Sequence, residues 1–170
     1  MSNIVVACGL QKSYLDPQGT CYLGDRVQGM EVRWLEFLKE SKSKGYKIFF
    51  TREIHNNDDG FYKGLRTHSM VGTLDVDIPE KFKPFIDYII NTNRFSAFYE
   101  TALGSEIYKL KPKEVIIVGV ETHTNVLFTV EEFRNRGYDV SVIEHLTLAS
   151  DDYLHAIGVT ILGDILSVNI

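Results

Sequence analysis

The 170-residue sequence predicts an α/β protein of three layers, in which helices cover both faces of a mostly parallel sheet. Short apolar, β-branched runs alternate with segments of helical periodicity along the chain. The run at residues 115–118 is continuously apolar, which is typical of a strand buried on both faces. One helix separates it from the next strand, and two strands joined in this way form a parallel βαβ unit.

The first quarter of the chain predicts two strands and a long helix. Residues 3–8 form a short apolar strand that ends at Gly9, and residues 13–25 are rich in turn formers and predict a surface loop. A helical stripe over residues 25–44 predicts a helix, and residues 46–51 predict the second strand. The stripe consists of Val27, Met30, Trp34, Phe37 and Leu38.

The middle of the chain has weaker signals. Residues 52–73 show no sustained period and predict a long loop, and loops of this length in compact domains are often functional. A short strand is expected at residues 88–90. Short helical turns that begin at Ser96 or Gly104 and end before Pro112 should follow.

The last third contains the clearest elements. The apolar period from Thr122 predicts a helix that ends at Gly137, and residues 138–143 predict a strand. Ser150 and Asp151 offer an N-cap for the last helix. Residues 165–170 predict a closing strand. No internal repeat, linker or low-complexity segment interrupts this order, so one domain over residues 1–170 is expected.

Composition excludes several classes of function. A formal charge of −5 and a pI near 5.5 provide no basic surface for a phosphate backbone, so nucleic acid is an unexpected partner. No apolar run approaches the roughly 20 residues that a membrane span needs. The N-terminal residues lack the pattern of a signal peptide. We therefore expect a cytoplasmic protein without a membrane partner.

Ligands of parallel sheets bind outside the carboxyl ends of the strands, so the segment at residues 119–125 is the first candidate site. It is also a helix N-terminus, where backbone N–H groups and the helix dipole would favour an anion or a thiolate. This chain carries Asn125 there instead of cysteine. Its two cysteines, Cys8 and Cys21, form no CxxC pattern and are expected to be reduced thiols, neither of them an obvious nucleophile.

Five sequence blocks, in order, together resemble the isochorismatase-like (cysteine hydrolase) superfamily, and most of all its nicotinamidase branch. VIIVGVETHTNV is similar to the family's nucleophile segment, a strand followed by G-V-x-T-x-x-C-V. RFSAFYETAL is similar to S-A-F-x-x-T-x-L, and VVACGLQKSYL lies where the family has a strand followed by D-x-Q-x-D-F. FTREIHNND is similar to T-x-D-x-H, and HSMVGT is similar to H-C-x-x-G-T.

The resemblance implies a six-stranded, Rossmann-like sheet whose switch point lies between the first strand and the strand that ends at Gly119. It also implies an amidase mechanism with an Asp, Lys and Cys triad, in which a thiolate attacks the carbonyl carbon and the aspartate transfers the proton. At the matching positions this sequence has Gly9, Thr92 and Asn125. Glycine cannot carry a proton and a carboxamide cannot form a thioester, so the triad is predicted to be absent.

A second family feature is partly retained. The resemblance implies a divalent metal near the pocket, bound by an Asp-x-His pair and a later histidine, and the matching residues are Glu53, His55 and His68. Two imidazoles and a carboxylate suit zinc, iron or manganese. The alternative is a loop with unconnected side chains, since these residues are spread over a segment that many loops would match.

Other candidate residues also have two interpretations. Asn125 either binds a ligand or caps the helix. Glu121 and His123, on either side of Thr122, are either an acid–base pair in the pocket or rim side chains. Phe95 and Phe98 either form an aromatic wall for a ligand, as the resemblance implies, or belong to the core. The ligand pocket is therefore predicted to contain Glu121, Thr122, His123, Asn125, Phe95 and Phe98.

Two functions follow from these observations. The first is a pseudoenzyme that has lost cysteine-hydrolase activity and binds a small molecule or a protein. The second is a hydrolase of a small amide or ester that uses a metal-activated water or another unusual mechanism. Replacement of the lost thiol by Cys8 or Cys21 is a weaker third possibility. By resemblance alone, a homo-oligomer is expected.

Overall fold

The computed structural model describes residues 3–170, except for the side chain of Tyr62. Its centre is a five-stranded parallel sheet in the order β3-β2-β1-β4-β5. The strands are β1 (Ile4–Cys8), β2 (Lys47–Glu53), β3 (Tyr88–Thr92), β4 (Val115–Val120) and β5 (Val140–Leu148). The chain runs outward from β1 to β3 and returns to β4 on the other side of β1, so the switch point lies between β1 and β4, as predicted.

Helices cover both faces of this sheet. The α-helices are α1 (Lys12–Leu15), α2 (Arg26–Ser43), α3 (Leu103–Leu110), α4 (Leu127–Asn135) and α5 (Asp152–Thr160). Single π-helical turns, Thr122–Val126 and Ile161–Ile165, precede α4 and follow α5. Short 3₁₀ turns are Gly60–Tyr62, Leu74–Val76 and Glu80–Phe85. The predicted α/β class and parallel sheet are confirmed.

Strand β1 separates two apolar cores, because successive side chains of a strand point to opposite faces. Val5 and Ala7 pack on the side of α2, and Ile4, Val6 and Cys8 pack on the side of α3 and α4. All five are buried, as the continuous apolar run predicts for a central strand. This places β1 and its carboxyl end at the middle of the molecule.

Helix α2 is anchored by Trp34, which is fully buried and donates its indole N–H to the carbonyl oxygen of Leu146 at 2.8 Å. That bond joins α2 to β5 across the sheet face. Helix α5 begins where predicted, since the Asp151 carboxylate accepts from the N–H of Leu154 at 2.8 Å.

The predicted sixth strand at residues 165–170 is wrong. Its first residue belongs to the π turn after α5, and within the described residues only Asn169 pairs with the sheet, in an isolated parallel bridge to Ser141. Within this segment Val168 is buried on the side of α4, near Leu162 of the preceding turn, whereas Ile165 and Ile170 are exposed. The sheet therefore has five strands in place of six.

No helix in the described part of the chain is long and apolar enough to cross a membrane.

Candidate functional site

The candidate site lies at the carboxyl edge of the sheet, where four strands deliver their last residues. Glu53 ends β2 and Thr92 ends β3, and the two are paired in register. Gly9 follows β1, and the π turn that carries Asn125 follows β4. The topology thus brings together residues that are far apart in sequence.

Glu53 is the centre of the site. The residue is 2% exposed, and its carboxylate receives hydrogen bonds from several directions. The Tyr14 hydroxyl donates to both carboxylate oxygens, at 3.2 and 3.0 Å. The amide nitrogen of Asn125 donates to Oε1, and Nε2 of His68 lies 2.7 Å from Oε2. A buried carboxylate is stable only when it is paired in this manner.

The two histidines reach Glu53 from one loop. His55 lies two residues beyond Glu53, so both side chains are on the same side of the extended chain, and its Nε2 is 3.6 Å from Oε2 of Glu53. A parallel bridge between His55 and Met70 then returns the loop alongside, which brings His68 to the same carboxylate. The donor atoms of Glu53, His55 and His68 lie within 4.8 Å of one another, so this group could hold a metal ion.

His68 is held in a defined orientation. Its Nδ1 lies 2.9 Å from the carbonyl oxygen of Arg66 and its Nε2 faces Glu53. Both neighbours are acceptors, so the contacts favour the doubly protonated form of the ring in the absence of a metal. Partial burial alone would lower the pKa of His68, but the hydrogen bond to Glu53 and its negative charge raise that pKa above its usual value.

The same contacts fix the charge of Glu53. Burial alone would raise the pKa of this carboxyl, but hydrogen bonds and electrostatic attraction from His55 and His68 outweigh burial and lower the pKa to about 2. Burial and the charge of Glu53 raise the pKa of Tyr14 well above its usual value, so its hydroxyl remains a donor. The site is a buried anion surrounded by donors.

Gln11 supports this arrangement and was not singled out by the sequence. It is fully buried, and its Oε1 accepts from the backbone N–H of Glu53 at 2.7 Å. Its Nε2 donates to the carbonyl oxygens of Glu53 and Asp75, at 3.2 and 3.1 Å, and to the hydroxyl of Ser69 at 3.1 Å. Gln11 therefore joins the end of β2 to the loop that carries His68.

Asn125 is directed into the site by the π turn. The turn is closed by a bond from the N–H of Val126 to the carbonyl oxygen of Glu121 at 3.1 Å, and π turns are frequent at functional sites. Asn125 is 4% exposed, and its amide is bonded to Glu53, so the helix-capping interpretation does not describe its side chain.

The neighbours of Asn125 make different contacts. The Thr122 hydroxyl lies 2.9 Å from Nδ1 of His155 on α5, and Glu121 accepts from the N–H of Ser150 at 3.1 Å. His123 packs beside α5, where a Cβ added at Gly158 would lie 3.0 Å from its Cα atom. Glu121 and Thr122 therefore each bond to the segment around α5, and His123 packs against it.

A cavity of about 520 Å³ opens beside the site. His68, Glu121 and Phe95 are among its walls, and Phe98 instead packs edge-on against Phe133 in the core. A larger depression of about 680 Å³ lies along β5, away from Glu53, and we do not assign it to the site. The remaining walls of the first cavity are Tyr14, Cys21, Tyr22, Leu23, Gly24, Leu65, Arg66, Thr124 and Ser150.

The residues at the positions matched to the family's aspartate and lysine, Gly9 and Thr92, lie against backbone carbonyl oxygens. Gly9 has a positive φ of 61°, and a Cβ there would lie 2.4 Å from the carbonyl oxygen of Val120. The Thr92 hydroxyl bonds with the carbonyl oxygens of Arg94 and Ser96, at 2.9 and 3.3 Å. In this chain both residues therefore make packing or hydrogen-bonding contacts at the end of a strand.

Arg94 connects the long loop at residues 52–73 to a wall of the cavity. Its guanidinium pairs with Asp59 at 2.7 Å and lies over the ring of Phe61, 4.6 Å from the centroid. Phe61 in turn contacts Phe95 edge-on, at 5.3 Å between centroids. The loop that supplies His55 and His68 is thus connected to the cavity wall.

A model of the isochorismatase domain matches residues 3–165. The chain belongs to the isochorismatase family. It is 30% identical over 95 residues to the uncharacterized family protein YaaI of Bacillus subtilis, covering 55% of this chain and 52% of YaaI. It is 29% identical over 115 residues to nicotinamidase 3 of Arabidopsis thaliana, covering 64% of this chain and 58% of the plant protein. The alignments thus span somewhat over half the length of these relatives.

Solved structures of the isochorismatase family show the same fold. A pyrazinamidase/nicotinamidase of Streptococcus mutans superimposes with a TM-score of 0.88 at 21% identity, covering 99% of each chain. A pyrazinamidase of Pyrococcus horikoshii in complex with zinc superimposes with a TM-score of 0.83 at 19% identity, covering 100% of this chain and 98% of its own. At these identities the likeness concerns the fold alone.

Proposed function

We propose that this isochorismatase-family protein binds a small molecule beside Glu53 and has no cysteine-hydrolase activity. The observation that carries the proposal is the contact between Asn125 and Glu53. The position matched to the nucleophile holds a carboxamide, and its amide group is bonded to a buried carboxylate. A carboxamide cannot attack a carbonyl to form a thioester.

The two thiols of the chain support the same conclusion. Cys8 is fully buried, and burial raises its pKa to about 12. Cys21 lines the cavity, but burial raises its pKa to about 11 as well. Because the thiolate is the nucleophile, a raised pKa leaves only a small reactive fraction of each residue near neutral pH. Replacement of the lost nucleophile by either cysteine is therefore disfavoured.

The cavity suits a small ligand that has a flat apolar surface and polar groups. Its volume of about 520 Å³ is within the usual range for ligand sites. Tyr22 and Phe95 provide aromatic surface, and Arg66 and Glu121 provide one charge of each sign. Among the described residues that line it there is no lysine.

Glu53, His55 and His68 fit a divalent metal ion. Both imidazoles present Nε2 to one carboxylate oxygen, at 3.6 and 2.7 Å, and Nδ1 of His68 donates to a backbone carbonyl, an arrangement that usually fixes a ligating histidine. When bound, an ion such as zinc supplies Lewis-acid chemistry and favours deprotonation of a water molecule. The protein residues hold the donors and exclude solvent from Glu53.

A second candidate function is hydrolysis of a small amide or ester by a metal-activated water. One observation favours it: His68 belongs both to the three-residue donor group and to the cavity wall. A ligand in the cavity would therefore lie next to the donor group.

We also propose that the protein forms a homo-oligomer, as the resemblance implies. Light scattering of the purified protein measures its oligomeric state.

Ammonia release from nicotinamide and a panel of simple amides tests the two candidates, with and without added zinc, iron or manganese. Silence under all conditions, combined with stabilisation by a pyridine carboxylate, an amide or a chorismate-like compound in a thermal-shift screen, supports the binding function. Release only with metal supports the second candidate. Release without metal that iodoacetamide abolishes would refute both, because it would require a reactive cysteine.

A further inference from the structure

We propose that Asn125 is a positioning residue for Glu53, holding one carboxylate oxygen so that the other faces the two histidines as a single metal-ligand atom. This inference rests on the metal-binding part of the proposed function. It concerns the side chain that replaces the expected nucleophile, and it assigns to it a role in the metal centre in place of one in covalent chemistry.

The two oxygens of Glu53 have different surroundings. Oε1 accepts the amide N–H of Asn125. Oε2 lies 2.7 Å from Nε2 of His68 and 3.6 Å from Nε2 of His55. Tyr14 donates to both oxygens and so does not distinguish between them. Asn125 is therefore the contact that separates the two oxygens into a held one and one available to the histidines.

Charge fixes the orientation of the Asn125 amide. The NH₂ group must face Glu53, because the amide oxygen in its place would set an acceptor against an anion. The oxygen that then points away, Oδ1, is buried and has no hydrogen-bond partner among the described residues. A buried acceptor without a partner is unfavourable, so the bond to Glu53 must outweigh that cost for the side chain to keep this position.

The contact with Asn125 also depends on the length of the side chain at position 53. Aspartate is shorter by one methylene, about 1.5 Å. A carboxylate withdrawn by that distance toward the backbone of β2 would leave the hydrogen-bonding range of the Asn125 amide. Asn125 should therefore affect the metal site only when residue 53 is glutamate, and this coupling can be measured.

A double-mutant cycle with zinc and cobalt tests the inference. Asn125→Leu keeps the approximate shape and removes the donor, and Asn125→Ala repeats the test if leucine impairs folding. We expect either to weaken zinc binding by about 10-fold or more, as for other partners of ligating side chains. Glu53→Asp should also weaken it, and the Asn125→Leu/Glu53→Asp double variant should bind no worse than Glu53→Asp alone.

The cobalt complex provides a readout that a purely structural role would not change. Without the Asn125 bond, Oε1 keeps only the Tyr14 hydroxyl, which it shares with Oε2, so both oxygens of Glu53 can coordinate. The visible absorption of the cobalt-loaded Asn125→Leu protein should then weaken as the coordination number rises. Asn135→Leu is the matched control, since Asn135 lies exposed at the end of α4 and contacts Glu131. It should leave zinc affinity and the cobalt spectrum unchanged.

The outcomes are distinguishable. Wild-type protein that binds zinc, with Asn125→Leu and Asn125→Ala equal to it in affinity and cobalt spectrum, would overturn the positioning role and leave the metal site standing. Effects of Asn125→Leu and Glu53→Asp that simply multiply would also overturn it. Wild-type protein that takes up no zinc or cobalt would overturn the inference together with the metal-binding part of the proposed function, while the ligand-binding part would still be judged by the thermal-shift screen.

Discussion

Replacing Gly9 with alanine tests whether the carboxyl end of β1 can hold any side chain. Gly9 has a φ of 61°, a conformation in which L-residues are strained. A Cβ placed there would lie 2.4 Å from the carbonyl oxygen of Val120 and 3.2 Å from its Cγ2 atom. The close atom is backbone of the neighbouring strand β4, so relief requires the two central strands to move.

The two effects can be estimated separately. The left-handed conformation costs about 1–2 kcal/mol for a non-glycine residue. Forcing an extra carbon into a filled space typically costs about 1–3 kcal/mol more. Gly9→Ala should therefore lower the free energy of unfolding by roughly 2–5 kcal/mol. Gly45→Ala isolates the first effect, because Gly45 has a φ of 77° and no atom within 4 Å of the added Cβ.

Urea unfolding followed by circular dichroism measures both variants against the wild type, with equal m-values as the condition for comparing them. We expect Gly9→Ala to be less stable than Gly45→Ala by about 1–3 kcal/mol. A Gly9→Ala protein as stable as Gly45→Ala would refute it. Confirmation would mean that an aspartate at position 9 cannot be added without rebuilding the contact between β1 and β4.

Three further predictions concern the site. In the metal-free protein, the stability advantage of wild type over Glu53→Gln should shrink by roughly 3 kcal/mol as the pH falls from 4.5 toward 2, because the folded-state pKa of Glu53 is about 2, below its usual 4.5; a constant advantage in acid unfolding curves would contradict this. Arg94→Ala should speed amide exchange several-fold at residues 56–67, since it frees Asp59, whereas Arg26→Ala should not; equal rates by mass spectrometry would refute the fastening role. At pH 7, iodoacetamide should modify Cys21 slowly, and alkylation faster than that of free glutathione would contradict its pKa of about 11.

Elements with strong local signals were predictable from sequence. The stripe of α2, the continuous apolar run of β4 and the Asp151 cap of α5 each depend on residues within one segment. The prediction of a closing strand at residues 165–170 was wrong for a related reason. A short apolar run is compatible with a strand or with a turn that buries one residue, and the structure has the second arrangement, with Val168 in the core and Ile165 exposed.

Part of the site was predictable because of spacing. Residues 53 and 55 share one side of an extended chain, so a carboxylate and an imidazole at these positions must lie close together. The contact of His68 with them depends on the bridge between His55 and Met70, which the sequence does not specify. The resemblance to a family motif provided the missing link for His68.

The contacts of the supporting residues could not be derived from local pattern, because their partners are distant in the chain, although Gln11 falls on the glutamine of the D-x-Q-x-D-F block. Gln11 bonds to residues 42 to 64 positions away, and Tyr14 bonds to Glu53 across 39 positions. The π turn was also unforeseen, since apolar periodicity from Thr122 onward fits an ordinary helix equally well. That turn sets the direction of the Asn125 side chain. The sequence pattern alone therefore could not decide whether Asn125 caps the helix or enters the pocket.

The contacts of Glu53 argue against simple decay of an enzyme site. Loss of selection would allow a buried carboxylate to remain without partners or to be replaced by an apolar residue, because an unpaired buried charge is costly and an apolar core is often as stable. Here the carboxylate is retained, and Tyr14, His68 and Asn125 all bond to it. The glutamate at position 53 reaches the Asn125 amide, and the three bonds together keep the carboxylate in the fixed position that the proposed binding function requires.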